Sequence, residues 1–217
     1  MRFSLVLALL LLPHPALERR PNGEPRAQGP AKPVIVDSPD PDSDEVYAAI
    51  LAMRVRNPGE GPKAKQIVLM DTTVGLDCMT VNKSEDCLAE SRKRIMAAFG
   101  SEVDIDAVED FLKNSTEQVS TSKNIPIDLP QVFLSKKEVD ELFKKKHADG
   151  WKVFYDKYPG AGGITSLSRV GFNKARDCAV LYSAIGCGWL CGTGHYHLLK
   201  KESGKWKLVA SHMLWIS

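Results

Sequence analysis

Apolar and polar positions alternate most clearly toward the C-terminal end of the chain, where four extended runs are separated by polar or glycine-bearing turns. Ser166–Phe172 predicts a first strand and Asn173–Asp177 a hairpin turn. Cys178–Ile185 is apolar on both parities, the pattern of a central strand covered on both faces. Thr193–Lys200 predicts a third strand, followed by a tight turn at Glu202–Lys205 in which Gly204 supplies a positive φ. Trp206–Ile216 completes a four-stranded antiparallel meander. Its Trp206, Leu208, Ala210, Leu214 and Ile216 share the parity expected to face a core, while Lys207, Val209, Ser211, Met213 and Trp215 share a mixed one.

Upstream, the apolar period lengthens from two to that of a helix. Ser43 is placed to cap a helix carrying Val46, Ala49, Ile50 and Met53 on one face, which Asn57–Pro62 ends. Gln66–Thr73 predicts one strand, buried at Ile67–Met70. Ser84–Phe99 predicts a helix with Leu88, Ile95, Met96 and Phe99 inward and Gly100 as its stop. Val103–Leu112 predicts another, with Asp104 and Asp106 at the positive end of its dipole. Pro126–Phe133 is extended. Ser135 and Glu138 form a capping box for a third helix with Val139, Leu142 and Phe143 turned to the sheet, and Gly150–Pro159 adds a short fourth. The Gly160–Gly163 loop reads as a flexible connector. The expected fold class is α+β: N-terminal helices and one strand packed on one face of a curved C-terminal four-stranded antiparallel meander. By architectural analogy such a sheet makes a cystatin-like or nuclear-transport-factor-like cone, enclosing a small apolar pocket.

The first residues change the expected location. Arg2 precedes an apolar run, Phe3–Leu12, closed by Pro13, which predicts a secretory signal over residues 1–16. Ten helical residues span only ~15 Å against a hydrocarbon core of ~30 Å, so no stable membrane span is expected after signal removal. Residues 17–44 are rich in Pro, Gly, Arg and Asp and read as a disordered linker, leaving 45–217 as a single domain, helical over 45–159 and β-meander over 164–217. The expected location is extracytoplasmic, periplasmic or secreted.

Composition narrows the partners. A chain of 217 residues with 43% hydrophobic and 26% charged residues can bury one good core, and a formal net charge of +2 without a basic stripe argues against nucleic acid. Lys136, Lys137 and Lys144–Lys146 read as a solvated basic face. The expected partner is a protein or a small apolar ligand, with no cofactor.

Phe154–Tyr155, Tyr158–Pro159, Ser168–Asn173, Cys187–Gly192, Gly204–Trp206 and Trp215–Ser217 together cover roughly the final third of the chain, with looser similarity at Phe111–Thr116 and Leu134–Glu138. In these segments the chain resembles a group of uncharacterised secreted bacterial proteins. The resemblance implies export and a shared fold, and it carries no site residues over.

Five cysteines in an exported chain invite a disulfide reading. Cys187 and Cys191 flank a three-residue turn where strand ends approach to bridging distance, and Cys78 and Cys87 close a ring of about ten residues worth ~3 kcal/mol by chain entropy. Cys178 is then a small buried hydrophobe. The alternative is a zinc or copper site built from Cys187, Cys191, His195 and His197, with both histidines on one strand face. An oxidising compartment favours the disulfide, leaving the two histidines facing solvent. A secreted hydrolase is the other alternative, assembled from His147, Asp71, Asp177 and Ser168, although no Gly-x-Ser-x-Gly elbow or His-Glu-x-x-His helix is present. The leading reading is an exported, non-catalytic binding or interaction module.

Overall fold

Helices sit on both faces of one mixed sheet in the computed structural model, which describes residues 40–56, 64–75, 85–144 and 149–217. Before the sheet turns antiparallel come α1 (Pro41–Arg56), β1 (Gln66–Met70), α2 (Glu85–Phe99), a single 3-10 turn at Gly100–Glu102, α3 (Ile105–Asn114), β2 (Gln131–Leu134), α4 (Lys136–Leu142) and α5 (Gly150–Lys157). Then follow β3 (Ala161–Leu167), β4 (Gly171–Phe172), β5 (Cys178–Gly188), β6 (Cys191–Glu202) and β7 (Lys205–Ile216). The strand order is β2-β1-β3-β5-β6-β7, with β4 paired to β5.

The α+β class and the antiparallel β5-β6-β7 meander are as expected, but the sheet is larger and mixed. β1 lies between β2 and β3 and runs parallel to both, so the extended stretch ending at Phe133 becomes a sheet strand. Parallel partners need long crossovers, here through α2 and α3 and then α4 and α5, and no local pattern announces them.

The expected strand Ser166–Phe172 is broken. β3 starts at Ala161, so the supposed connector Gly160–Gly163 is one turn residue, Gly160 at φ 78°, followed by strand. At its other end Ser168 takes over a ladder position: its Oγ accepts from the Tyr182 amide at 2.8 Å and donates to the Arg169 carbonyl at 2.8 Å. The chain then returns as β4, where Gly171 lets α3 approach closely, since a methyl group there would overlap the Phe111 backbone.

Helices were expected on one face only, and the alternation of β5 shows why both are needed. Ala179 and Leu181 join Val46, Ile50 and Leu51 of α1 in one core, together with Leu199 and Trp206. Cys178 and Val180 face the other way, into a core with Ile95, Phe99, Val108 and Phe111 of α2 and α3. Val68 and Ile164 extend that second face over Leu134, Leu142 and Phe154. A strand apolar on both parities thus has a helix layer on each side, and a one-sided cone does not form.

Several local signals act as read. Ser135 accepts from the Glu138 amide at 3.2 Å while Glu138 accepts from the Ser135 amide at 2.8 Å, and the Asp104 side chain accepts from the Asp106 amide at 2.9 Å. Ser203 and Gly204 take positive φ in the β6–β7 turn. Helix α1, by contrast, begins at Pro41, two residues before Ser43, because proline suits the first turn of a helix. Ser43 does not serve as the first cap but donates to Asp40 Oδ2 at 2.7 Å, so residues 40–44, expected as linker, belong to the folded unit. The signal and the rest of the linker, residues 1–39, lie outside the described residues.

Candidate functional site

Two adjacent glycine-rich strand ends bring Cys187 and Cys191 together across Gly188–Leu190, and they form a disulfide with Cα atoms 5.0 Å apart. Tyr155 of α5 supports the turn by donating to the Cys187 carbonyl at 2.8 Å, and burial pushes its phenol above the ordinary value. The disulfide removes both sulfurs as thiolate ligands. His195 and His197 do share one face of β6, with ring centroids 5.8 Å apart and planes 25° from parallel.

His197 corrects the expectation of two solvent-facing histidines. It is 5% exposed, its Nε2 lies 2.8 Å from Ser183 Oγ on β5, and its Nδ1 lies 2.8 Å from Ser211 Oγ on β7. A buried imidazole needs a partner at each nitrogen, and the neighbouring strands supply one each. The four-residue metal set is therefore not assembled, and among the described residues no group of three or more His, Cys, Asp or Glu is placed to hold a metal ion.

Of the hydrolytic set, the three described residues each serve the fold. Ser168 is spent on the β3–β4 corner, and Asp177 accepts from Asn173 Nδ2 at 2.8 Å within the β4–β5 turn. Asp71 lends its backbone to Leu134 and Thr121, and His147 lies outside the described residues. The Ser183–His197 pair, missed from sequence, resembles a nucleophile and base, but Ser183 is fully buried and out of a substrate's reach. Cys178 is the free, buried thiol among the described residues, and burial pushes its pKa up, away from reactivity. Cys87 is buried in the α2–α3 core; its expected partner Cys78 lies outside the described residues.

Two surface features stand out instead. The first is apolar. Among the described strands β7 is the last of the sheet, and its segment Val209–Ile216 contains no Lys, Arg, Asp or Glu, whereas Lys205 and Lys207 occupy its start. Met213 is 51% and Ile216 70% exposed, and the pairing of Gly192 with Ser217 places them beside the hairpin tip, where Trp189 is 68% and Leu190 90% exposed. Trp215 lies across Gly194, which has no room for a methyl group, and donates to the Tyr182 hydroxyl at 2.9 Å.

The second is a polar cleft of about 590 Å³ between the first turns of α1, the Val119–Asn124 segment and the β3–β4 corner. It is bordered by Asp44, Asp110, Thr121, Lys123, Arg169 and Arg176 among others, and it is not the apolar pocket expected. Beside it Arg176 stacks on Phe172 with its guanidinium carbon 4.1 Å from the ring centroid and pairs with Asp40 and Asp42 at 2.7 Å each. Burial raises the Asp42 carboxyl, but donors from Lys201, Arg176 and Trp206 outweigh it and bring the pKa down from 3.8 to about 2.

Compared with protein-family models, with curated proteins and with solved structures, the chain matches none of them.

Proposed function

We propose that this chain is an exported, non-catalytic interaction module that captures an extended apolar segment of a protein partner along the second half of β7. The observation carrying this reading is the uncharged edge Val209–Ile216 beside the exposed tip of Trp189 and Leu190. An outermost strand has free backbone donors and acceptors on one side, and proteins commonly guard such edges with lysine or proline. Here the guard covers Lys205 and Lys207 and stops. An added strand would satisfy the backbone, and Met213 and Ile216 would give it apolar contacts.

Export is part of the reading. Arg2 with Phe3–Leu12 suits a secretory signal, the Cys187–Cys191 disulfide suits an oxidising compartment, and the resemblance of the final third to secreted bacterial proteins points the same way. Fractionation with N-terminal mass spectrometry should find a mature chain outside the cytoplasm that has lost the Phe3–Leu12 run; an intact Met1 on a cytoplasmic protein would sink this part.

The binding reading is tested by selecting displayed random octapeptides on the purified chain. Enriched peptides should alternate apolar residues and lose at least about tenfold in affinity against Met213→Lys or Ile216→Lys, exposed positions where stability should change by no more than ~0.5 kcal/mol. Equal binding to both variants, or no enrichment, overturns the proposal. A concentration-dependent dimer abolished by the same substitutions would replace the foreign partner with a second copy of the chain.

A further inference from the structure

We infer that the cleft beside α1 is a second binding site, for a small polar ligand bearing a protonated amine. The carboxylate of Asp44 carries the inference. Asp44 borders the cleft, is 6% exposed, and its Oδ1 has no hydrogen-bond partner; among the described residues no cation pairs with it. Thr121, bordering the same cleft from the Val119–Asn124 segment, is 3% exposed and its Oγ1 also lacks a partner. Native proteins rarely leave buried polar atoms unsatisfied, and a buried carboxylate without a counter-charge is the most costly of them.

Asp110 and Arg176, which also border the cleft, are already committed to other partners. Asp110 Oδ2 accepts from the Phe172 amide at 2.9 Å and from Asn114 Nδ2 at 3.1 Å. Arg176 is held by Asp40 and Asp42, and the Lys123 ammonium lies 6.0 Å from the centre of the Phe133 ring. Arg169 completes the cationic border. Asp44 lies in the first turns of α1, where the helix dipole tolerates a negative charge but does not supply the donors a carboxylate needs. An alkylammonium would bring both charge and N–H donors, and Thr121 can accept one of them. A cleft of about 590 Å³ has room for the rest of a small ligand.

The probe is 1,4-diaminobutane, with 1,4-butanediol as its uncharged counterpart, each added to the full chain at about 10 mM. A ligand that binds only the folded state raises the melting temperature. The diamine should raise it by about 2 °C or more and the diol should not, and Asp44→Asn should abolish the shift. Thr121→Val, which keeps the carboxylate, should weaken diamine binding several-fold by titration calorimetry and serves alone if Asp44→Asn fails to fold. An equal shift by the diol, an unchanged shift in Asp44→Asn, or unchanged binding by Thr121→Val overturns the assignment, as does the absence of any shift. Substitutions on β7 should leave the diamine response intact, so this site and the strand-capture surface fail independently.

Discussion

At the end of the sheet where β4 turns into β5, side chains from distant parts of the chain tie the surface together. Asp42 of α1 accepts from Lys201 at 2.5 Å, from Arg176 at 2.7 Å and from the Trp206 indole at 3.3 Å, while Asn173 accepts from the amides of Asp177 and Cys178 across the turn. At the opposite end, where β5 turns into β6, the ties are a disulfide, the Tyr155 hydroxyl on the Cys187 carbonyl and a Trp189 indole 3.3 Å from Asp149, and apolar side chains are left in water. Both ends are anchored, but by different means. A polar tie needs partners aimed at one another, and once made it leaves little for a macromolecule to grip. A covalent tie orders the backbone without covering apolar surface, which stays available to a partner.

The largest single effect is expected beside the first end, where backbone packs on backbone. Gly171→Ala forces a methyl group into the Phe111 backbone, which cannot yield cheaply, and should cost at least about 3 kcal/mol in urea unfolding. A cost under about 1 kcal/mol would show that the β4–α3 contact is looser than described.

His197→Ala comes next and lies between the two ends. It removes a buried ring and takes a partner from both Ser183 and Ser211, so about 2–4 kcal/mol is expected. This departs from the sub-kilocalorie loss expected of a solvent-facing histidine. Equilibrium unfolding of the single variant decides between them.

At the hairpin end, replacing Cys187 and Cys191 together with Ser should cost about 2 kcal/mol at most, because the ring closed is small. A loss of octapeptide binding beyond that expected from stability would show that the disulfide shapes the capture surface.

Asp42→Asn should have the smallest effect, about 1–2 kcal/mol at neutral pH, since the carboxylate is partly screened by water. Its folded pKa is depressed from 3.8 to about 2, so its contribution is complete above about pH 4 and fades as pH falls through 2. Unfolding curves of the two proteins should therefore converge between pH 4 and 2. A gap undiminished at pH 2 would mean that Asp42 acts through packing.

Much of this architecture was legible in local pattern. The strands of the meander, the capping box at Ser135 and Glu138, the cap at Asp104 and the turn at Gly204 depend on residues a few positions apart. The Cys187–Cys191 link was legible for the same reason. Parity on β7 was not: bulges opposite Gly194–His195 and Leu198–Leu199 insert extra residues, so Trp206 and Leu208 face α1 while Ala210 and Leu214 face α2 and α3.

What the sequence determined by itself was what short-range chemistry determines: element type, caps, turns, the closely spaced disulfide and a central strand apolar on both sides. Tertiary structure alone decided that β1 runs parallel between β2 and β3, that helices cover both faces, and that His197 is enclosed by Ser183 and Ser211. It also decided that Asp44 and Thr121 border one cleft, although they lie far apart in sequence. Each of these depends on which distant segments become neighbours, a choice made by the packing of the whole chain and written in no single window of it.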